Sequence, residues 1–469
     1  FYLNLYKDNY IDKNRIYTLT KKINENLHFK FGIKNLYHRM IFTAAALVSE
    51  RYGADLNGIK NRGYEVFRNV IRDTIQKSLE DNKKQNMKLD ILMEVYIDIK
   101  MNIVENKEAI NDFIDCVIEI SDSVNSDNWN GEDVMGIFFN EFNRYKKKSE
   151  SGQVFTPDHI TSLMYKILEV NANDKILDAA CGSGAFLVKS MSNMIKEVGG
   201  INTKEAKKIK EHSLFGIEFD REIFALACAN MMIHKDGKTN LEQLDSRDKE
   251  ASEWIKSKGI TKVLMNPPFE RKYGCKKIVE NVLNSVPSGI KCAFIMPEKK
   301  MEKDKMGKLL EKHHLEAIIK LPEKLFDAGV TTSIYVFETG KKQVGEIYGC
   351  YIEDDGLERV KNQGRQDIKD KWMELENYWV DSIRKRNDTK YGTSQWIDPK
   401  KFLSYQKPKA EFVLYEEDFV KTMMNYLMFK NKIDVKEFSD KLINKTLYNS
   451  EILKEDNNIV IKIKDAEDE

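Results

Sequence analysis

Asn266-Pro267-Pro268-Phe269 brings three kinds of group together in four residues. An asparagine carbonyl accepts a hydrogen bond, two prolines fix the backbone, and a phenylalanine supplies a ring face. An exocyclic amine on an aromatic base is a poor nucleophile, because its lone pair is delocalised into the ring. Asn266 Oδ1 and the backbone carbonyl of Pro267 can each accept one amine hydrogen. The nitrogen is then biased towards a pyramidal geometry, with its lone pair aimed at an electrophile. Phe269 can stack on the ring that carries the amine. Asn266, Pro267, Pro268 and Phe269 are therefore the candidate catalytic residues, and this chemistry needs no metal and no covalent intermediate. As an isolated tetrapeptide the motif reads equally well as a rigid turn with an Asn cap. Its position favours the chemical reading. It follows Lys262-Val263-Leu264-Met265, an apolar run expected to be a buried strand.

A second group of residues supplies a ligand site. Asp178-Ala179-Ala180-Cys181-Gly182-Ser183-Gly184 follows the strand-like run Lys175-Ile176-Leu177 and precedes a helical pattern. Glycines in such a turn let the backbone approach a ligand, and the following helix N-terminus carries partial positive charge. That suits the carboxylate of an amino-acid moiety. The spacing is not the GxGxxG of dinucleotide sites, and the next strand-end acid, Glu218, lies about twice the roughly 20 residues of that fingerprint downstream. Glu218 can accept both hydroxyls of a ribose, Phe219 can pack on an adenine ring, and Asp245 with Ser246 stands after a third strand, where Asp245 can accept from an adenine amine. Cys181 is read as small and buried. With Cys181 two residues before Ser183, the turn is not a nucleophile elbow. Together the two groups point to methyl transfer from S-adenosylmethionine to an exocyclic amine, with adenine N6 in DNA as the expected acceptor. A base within a duplex reaches such a site only when flipped out.

The elements that must hold these residues alternate. From Gly152 onward, strands are expected at Ile176-Leu177, Leu214–Ile217, Leu241–Leu244, Val263–Met265, Ala293–Met296, Ala317–Leu321 and Ser333–Phe337. Helices are expected from Gly184 to about Val198 and from Arg221 to about His234. This is an α/β pattern with a Rossmann-like, seven-stranded sheet covered on both faces. The last two strands have no helix between them and are expected to be antiparallel. Before about Glu150 the apolar positions recur at helical spacing, as in Leu89-Ile91-Leu92-Val95-Ile99-Ile103 and Ile110-Phe113-Ile114-Val117-Ile118. After about Asp355 the pattern weakens, with one amphipathic helix around Phe419, Met423, Tyr426 and Leu427. Ile459–Ile463 resembles a strand without a visible partner. Three domains are expected: 1–150 helical, 151–355 catalytic, and 356–469 a smaller, helical C-terminal region for partner or DNA contacts.

Composition limits the alternatives. The chain has 469 residues, 41% hydrophobic and 32% charged, which fits a globular protein with a substantial core. No apolar run approaches the roughly 20 residues of a membrane span. The six cysteines lack a CxxC pair, which argues for reduced thiols in a cytoplasm and against a zinc site. The first residue is Phe1, so the natural start is expected to lie upstream. The net charge of +1 is low for a protein that grips DNA alone over a broad surface. Lysine-rich stretches, Arg144–Lys148 and Arg271-Lys272 with Lys276-Lys277, read mostly as solvated faces.

Three stretches in this order carry a family resemblance: Gly152-Gln153-Val154-Phe155-Thr156-Pro157, then Asp178 to Gly184, then Asn266 to Phe269. The chain resembles the modification (M) subunit of type I restriction-modification systems, within the γ class of N6-adenine DNA methyltransferases. Gly329-Val330-Thr331-Thr332-Ser333-Ile334-Tyr335-Val336-Phe337 resembles a further family segment. The resemblance implies S-adenosylmethionine as cofactor and double-stranded DNA as substrate. It implies cofactor-binding roles for Gln153, Phe155, Thr156, Pro157, Asp178, Ala180, Cys181, Gly182, Ser183, Gly184, Glu218, Phe219, Asp245, Ser246 and Asn266. It also implies partners: a specificity (S) subunit or a fused S-like module, and a restriction (R) subunit. Two other classes compete. One is methylation of another planar amine (cytosine N4, an RNA guanine or a protein glutamine), which substrate assays separate. The other is a non-catalytic scaffold, against which the intact Asn266 and Gly182-Ser183-Gly184 argue.

Overall fold

The computed structural model describes residues 13–81, 86–100, 106–125, 133–143, 155–234, 240–269, 274–302, 307–323, 325–326, 330–408, 415–448, 450–455 and 458–463. The chain divides into two compact units, Phe1–Gln406 and Lys407–Glu469.

The larger unit is built on one sheet. Its strands are β1 (Ile176–Asp178), β2 (Leu214–Glu218), β3 (Asn240–Gln243), β4 (Lys262–Met265), β5 (Lys291–Pro297), β6 (His314–Lys320), β7 (Thr332–Glu338), β8 (Ile347–Tyr351) and β11 (Ser394–Ile397). A small antiparallel hairpin, β9 (Glu358–Val360) with β10 (Gly364–Gln366), stands apart from it. The sheet order is β11-β8-β6-β7-β5-β4-β1-β2-β3. β3, β2, β1, β4 and β5 are parallel neighbours. β7 runs antiparallel between β5 and β6, as the missing crossover helix implied. All seven expected strands form, and two more extend the sheet from β6. β8 pairs parallel to β6, and β11 pairs antiparallel to β8 as the edge. These two escaped the sequence pattern for physical reasons. β8 is interrupted by Gly349, where a Cβ would lie 2.6 Å from Ile397 Cδ1. β11 is a short edge strand whose Ser394 and Gln395 are half-buried and whose Trp396 is exposed, so it shows little apolar alternation.

Alternation along the central strands divides the core. Leu264, Ala293 and Ile295 join one apolar cluster, while Val263, Met265, Cys292, Phe294 and Met296 join the other. Side chains of period two thus serve both faces, and both faces are covered. One face packs under helices Lys249–Lys256 and Cys275–Ser285, which supply Ala251, Ile255, Val279 and Val282. The other face shares a continuous core with helices Ala185–Glu197 and Arg221–Ile233 and with the N-terminal helices. Those N-terminal helices are Lys13–Glu25, Leu36–Arg51, Tyr64–Asp81, Asn86–Asp98, Lys107–Asn125 and Val134–Phe142. Phe31, Phe42, Phe67 and Phe113 form their aromatic centre, with ring centroids 5.4–6.1 Å apart. Ile103 lies outside the described residues.

The stretch after Asp355 returns to the larger unit. Helix Trp372–Lys385 lies along helix Asp158–Ile167, where Lys166 Nζ donates to Glu376 Oε2 at 2.6 Å. Tyr17 Oη donates to the carbonyl of Gln363 in the small hairpin at 3.0 Å. Within the second unit, helices Glu416–Lys430 and Val435–Tyr448 precede a hairpin, β12 (Ser450–Glu455) with β13 (Asn458–Ile463). The strand Ile459–Ile463 therefore has a partner. Ser450–Glu455 contributes only Ile452 and Leu453 as apolar residues, too few to stand out in the sequence. No helix among the described residues is long and apolar enough to cross a membrane.

A buried ion cluster ties helix Asp158–Ile167 to Asp355 and the stretch after it. Asp355 is fully buried and accepts from Arg365 Nε at 2.7 Å and from a second Arg365 nitrogen, with His159 Nε2 at 3.1 Å. Burial alone would raise the Asp355 pKa, but the hydrogen bonds from His159 and Arg365 outweigh it and hold the carboxyl at about 2. The folded pKa is below the unfolded value of about 3.9, so this stabilisation is complete above about pH 4 and fades as pH falls towards 2. Asp355→Ala should therefore destabilise the protein by ~3–5 kcal/mol at neutral pH, leaving an uncompensated buried cation. Denaturant unfolding of both proteins checks this, and their difference should shrink between about pH 4 and pH 2. A pH-independent difference would exonerate the carboxylate.

Candidate active site

The carboxyl ends of β3, β2, β1 and β4 lie along one edge of the sheet, and an open cleft runs across them. It holds about 1050 Å³ of space, part of it continuous with solvent. The topology predicts a ligand site here. Strand order reverses between β1 and β4, and open α/β sheets bind ligands at such a switch point.

The glycine turn forms the floor. Cys181 N–H donates to the Ile217 carbonyl at 3.0 Å, and Gly184 N–H to the Cys181 carbonyl at 2.7 Å. Gly182 and Gly184 have φ of +55° and +90°, which L side chains avoid. A Cβ on Gly182 would meet nothing within 4 Å, so the backbone there is open to a ligand. Gly184 caps helix Ala185–Glu197. The turn is also held from behind. Asn230, fully buried, donates through Nδ2 to the Ser183 carbonyl at 2.9 Å and to Asp133 Oδ1 at 2.7 Å. Asp133 caps helix Val134–Phe142, so the N-terminal helices brace the turn directly. Ser183 Oγ is buried without a hydrogen-bond partner among the described residues.

Asp178, Glu218, Asp220 and Asp245 bring four carboxylates to the cleft. Glu218 Oε2 accepts from Gly182 N–H at 3.0 Å, and its Oε1 from Phe219 and Asp220 N–H at 2.9 Å each. Burial pushes its pKa up to about 6. Asp178 Oδ1 accepts from Ala180 N–H at 3.1 Å, and burial pushes its pKa up to about 8. Asp245 differs. Its carboxylate is gripped by Arg247, with Nε at 2.8 and 3.0 Å from its two oxygens, and this partner holds its pKa below the ordinary value. The Arg247 guanidinium also lies 5.9 Å from the centroid of the exposed Phe219 ring. Any ligand amine must compete with Arg247 for Asp245.

Asn266 closes the cleft at the end of β4. Its Nδ2 donates to Thr156 Oγ1 at 2.9 Å. Its Oδ1 is buried and has no hydrogen-bond partner among the described residues, an acceptor left unsatisfied at a cost of about 1–3 kcal/mol. The Phe269 ring meets the buried Phe326 edge-on, with centroids 5.4 Å apart. Phe155 also lines the cleft, stacked on Phe139 at 3.8 Å.

Residues 130–291 match the family model described as N-6 DNA Methylase. The chain is similar to this family. It is 30% identical over 340 residues to the type II restriction enzyme and methyltransferase RM.BcgI of Heyndrickxia coagulans, covering 66% of this chain and 51% of that protein. It is 22% identical to the type I restriction enzyme EcoEI methylase subunit of Escherichia coli, covering 41% of this chain and 43% of that subunit. The chain thus spans about half the length of the curated relatives it matches. A solved chain of a type I R-M system shares the fold, with a TM-score of 0.58 at 16% identity, covering 92% of this chain and 98% of that one.

The structure gathers most of the residues singled out in the sequence. Phe155, Thr156, Asp178, Ala180, Cys181, Gly182, Ser183, Glu218, Phe219, Asp245, Ser246 and Asn266 to Phe269 all line the cleft. Pro157 and Gly184 do not line it: Pro157 caps helix Asp158–Ile167, and Gly184 caps the next. Gln153, Arg144–Lys148, Arg271-Lys272 and Gly329 lie outside the described residues. Sequence reasoning missed Asp220, Ile223 and Arg247 in the cleft wall and Asn230 behind it. Asp220 was findable, since Asp-Arg-Glu at a helix start is a capping signal. Asn230 carried no local signal, because its partners Ser183 and Asp133 are set by the fold, whereas Arg247 pairs with Asp245 only two residues away.

The raised Asp178 pKa has a measurable consequence. The folded chain holds this proton more tightly than the unfolded chain, so stability should fall as pH rises from about 4 towards about 8. Asp178→Asn keeps the acceptor for Ala180 and removes the titration. Its melting temperature should gain on that of the unaltered protein as pH rises across that window, read by thermal scans. A constant offset would mean that Asp178 ionises normally.

Proposed function

We propose that the chain is the catalytic part of a site-specific DNA adenine-N6 methyltransferase of a restriction-modification system. The observation that carries this is Asn266, whose Oδ1 stands unsatisfied in the same cleft as the glycine turn and Glu218. The donor set fits S-adenosylmethionine. The open backbone at Gly182 and the Ser183 hydroxyl suit its amino-acid end, Glu218 suits the ribose hydroxyls, and Phe219 suits the adenine face. When bound, this cofactor supplies an electrophilic methyl group.

The chain's own residues then act by position. Asn266 Oδ1 and the Pro267 carbonyl accept the two hydrogens of the adenine amine and free its lone pair. Pro267 and Pro268 hold those acceptors still, so little reorganisation accompanies transfer. Phe269, backed by Phe326, receives the flipped base, and stacking offsets part of the few kcal/mol lost on unstacking. In this reading residues 1–150 brace the cofactor turn, 151–355 carry the chemistry, and 356–469 serve partners or DNA, although 356–406 also pack within the larger unit; a cytoplasmic enzyme acting on DNA is the matching expectation.

Double-stranded DNA is the proposed substrate, with recognition borrowed from a specificity subunit or a fused S-like module, and with a restriction subunit as further partner. In the second unit, Phe419, Met423 and Tyr426 on one helix and Phe438 and Leu442 on the next stand exposed, a surface suited to such a partner. The similarity to RM.BcgI, named as both restriction enzyme and methyltransferase, favours a second arrangement in which this chain is the methyltransferase half of a longer polypeptide.

Asn266→Ala should reduce methyl transfer by ~100-fold or more, with cofactor affinity by calorimetry nearly unchanged. Near-normal turnover would place the chemistry elsewhere. Separately, the chain alone should bind DNA weakly and without sequence preference, in a salt-sensitive manner. Methylation read base by base, with and without the specificity partner, checks this. Efficient modification of one motif by the chain alone would show that it carries its own recognition element.

A further inference from the structure

We infer that Thr156 is a positioning residue for Asn266, and that its hydroxyl anchors the Asn266 amide through Nδ2 so that Oδ1 faces the acceptor amine. This rests on the proposed reading of the cleft as a site for amine methylation.

A primary amide has two ends of nearly equal size and opposite hydrogen-bonding character. Only the Oδ1 end can accept from an amine. The Nδ2 end would set donor against donor and leave the amine lone pair undisturbed. Rotation of the side chain by half a turn exchanges the two with little change in shape, so packing alone discriminates poorly between them. A hydroxyl can accept from Nδ2 or donate to Oδ1, so Thr156 serves to hold the amide in the orientation it has, by accepting from Nδ2. Asn266 Nδ2 donates to Thr156 Oγ1 at 2.9 Å, and Oδ1 is left buried and unsatisfied. An orphan acceptor beside a paired donor is the orientation that amine activation requires.

Both ends of this contact are anchored independently. Asn266 precedes Pro267 at the end of β4, and a residue before proline is confined to extended backbone. Thr156 likewise precedes Pro157, which opens helix Asp158–Ile167 at φ −60° and ψ 140°. That helix is fastened by Lys189 to Asp158 at 2.7 Å, by His159 to Asp355 at 3.1 Å, and by Lys166 to Glu376 at 2.6 Å. The hydroxyl therefore approaches from outside the sheet on a rigid support, 110 residues before its target.

The family resemblance assigns Thr156 to the cofactor, and the two roles separate kinetically. A cofactor ligand acts on KM for S-adenosylmethionine. A residue that orients Asn266 acts on kcat. The test uses the full-length protein in its native complex, with labelled S-adenosylmethionine and genomic DNA from a host that lacks the gene. Thr156→Val keeps the shape and removes the acceptor. Its kcat should fall by about 10- to 100-fold, with KM for the cofactor unchanged. Thr156→Ser keeps the hydroxyl and should recover most of the lost kcat. An unchanged kcat in Thr156→Val, a rise in cofactor KM alone, or failure of Thr156→Ser to recover turnover would each overturn the inference. Transfer by the unaltered complex to cytosine N4 would overturn the adenine reading and leave the same kcat comparison to be made on that base. No transfer to any base would overturn both.

Discussion

The structure depends on the reversal of strand order between β1 and β4. The chain lays β1, β2 and β3 outward in one direction, then returns to place β4 on the other side of β1. Leu177 pairs with Val263, so Asp178 and Asn266 leave neighbouring strands at the same edge. Connections diverge to opposite faces at this point and leave a crevice. The glycine turn, Glu218 and the Asn-Pro-Pro-Phe segment all reach it for that reason. Moving β4 elsewhere in the order would separate the two groups by the width of the intervening strands, whatever their sequences.

The cleft is also electrostatically unusual. Asp178, Glu218, Ser183 Oγ and Asn266 Oδ1 present acceptor capacity that the protein itself satisfies only in part. Buried polar groups are ordinarily paired, so a cluster of under-satisfied acceptors is a site built for donors from outside. Ribose hydroxyls, an amino group and an adenine amine are such donors. Arg247 is the exception, because it neutralises Asp245 and leaves Phe219 as the principal ring surface on that wall.

Support for the cleft comes from distant parts of the chain. Asp133 and Asn230 connect the N-terminal helices to the Ser183 carbonyl. His159, Asp355 and Arg365 connect the segment bearing Thr156 to the stretch after β8. The N-terminal helices and one face of the sheet share a single apolar core, so the glycine turn cannot shift without disturbing both. Precision at the acceptor end is therefore a property of the whole larger unit and not of the four-residue motif.

By itself, the sequence determined the strand-helix alternation, the seven central strands, and the two groups of residues at strand ends. Those features are local. Apolar runs of strand length, a glycine turn and a proline pair constrain the backbone within a few residues, so a linear reading captures them. It also determined the candidate chemistry, because the functional groups of Asn266 and its neighbours limit what they can accept or donate. Only the tertiary structure decided that Thr156 holds the Asn266 amide and that Asn230 braces the glycine turn. It alone added β8 and β11 to the sheet and gave Ile459–Ile463 a partner. Each of these rests on contacts whose strength depends on distance in space. Thr156 and Asn266, or Asn230 and Asp133, are far apart in the chain, and no residue type announces such a partner until the core brings the two together.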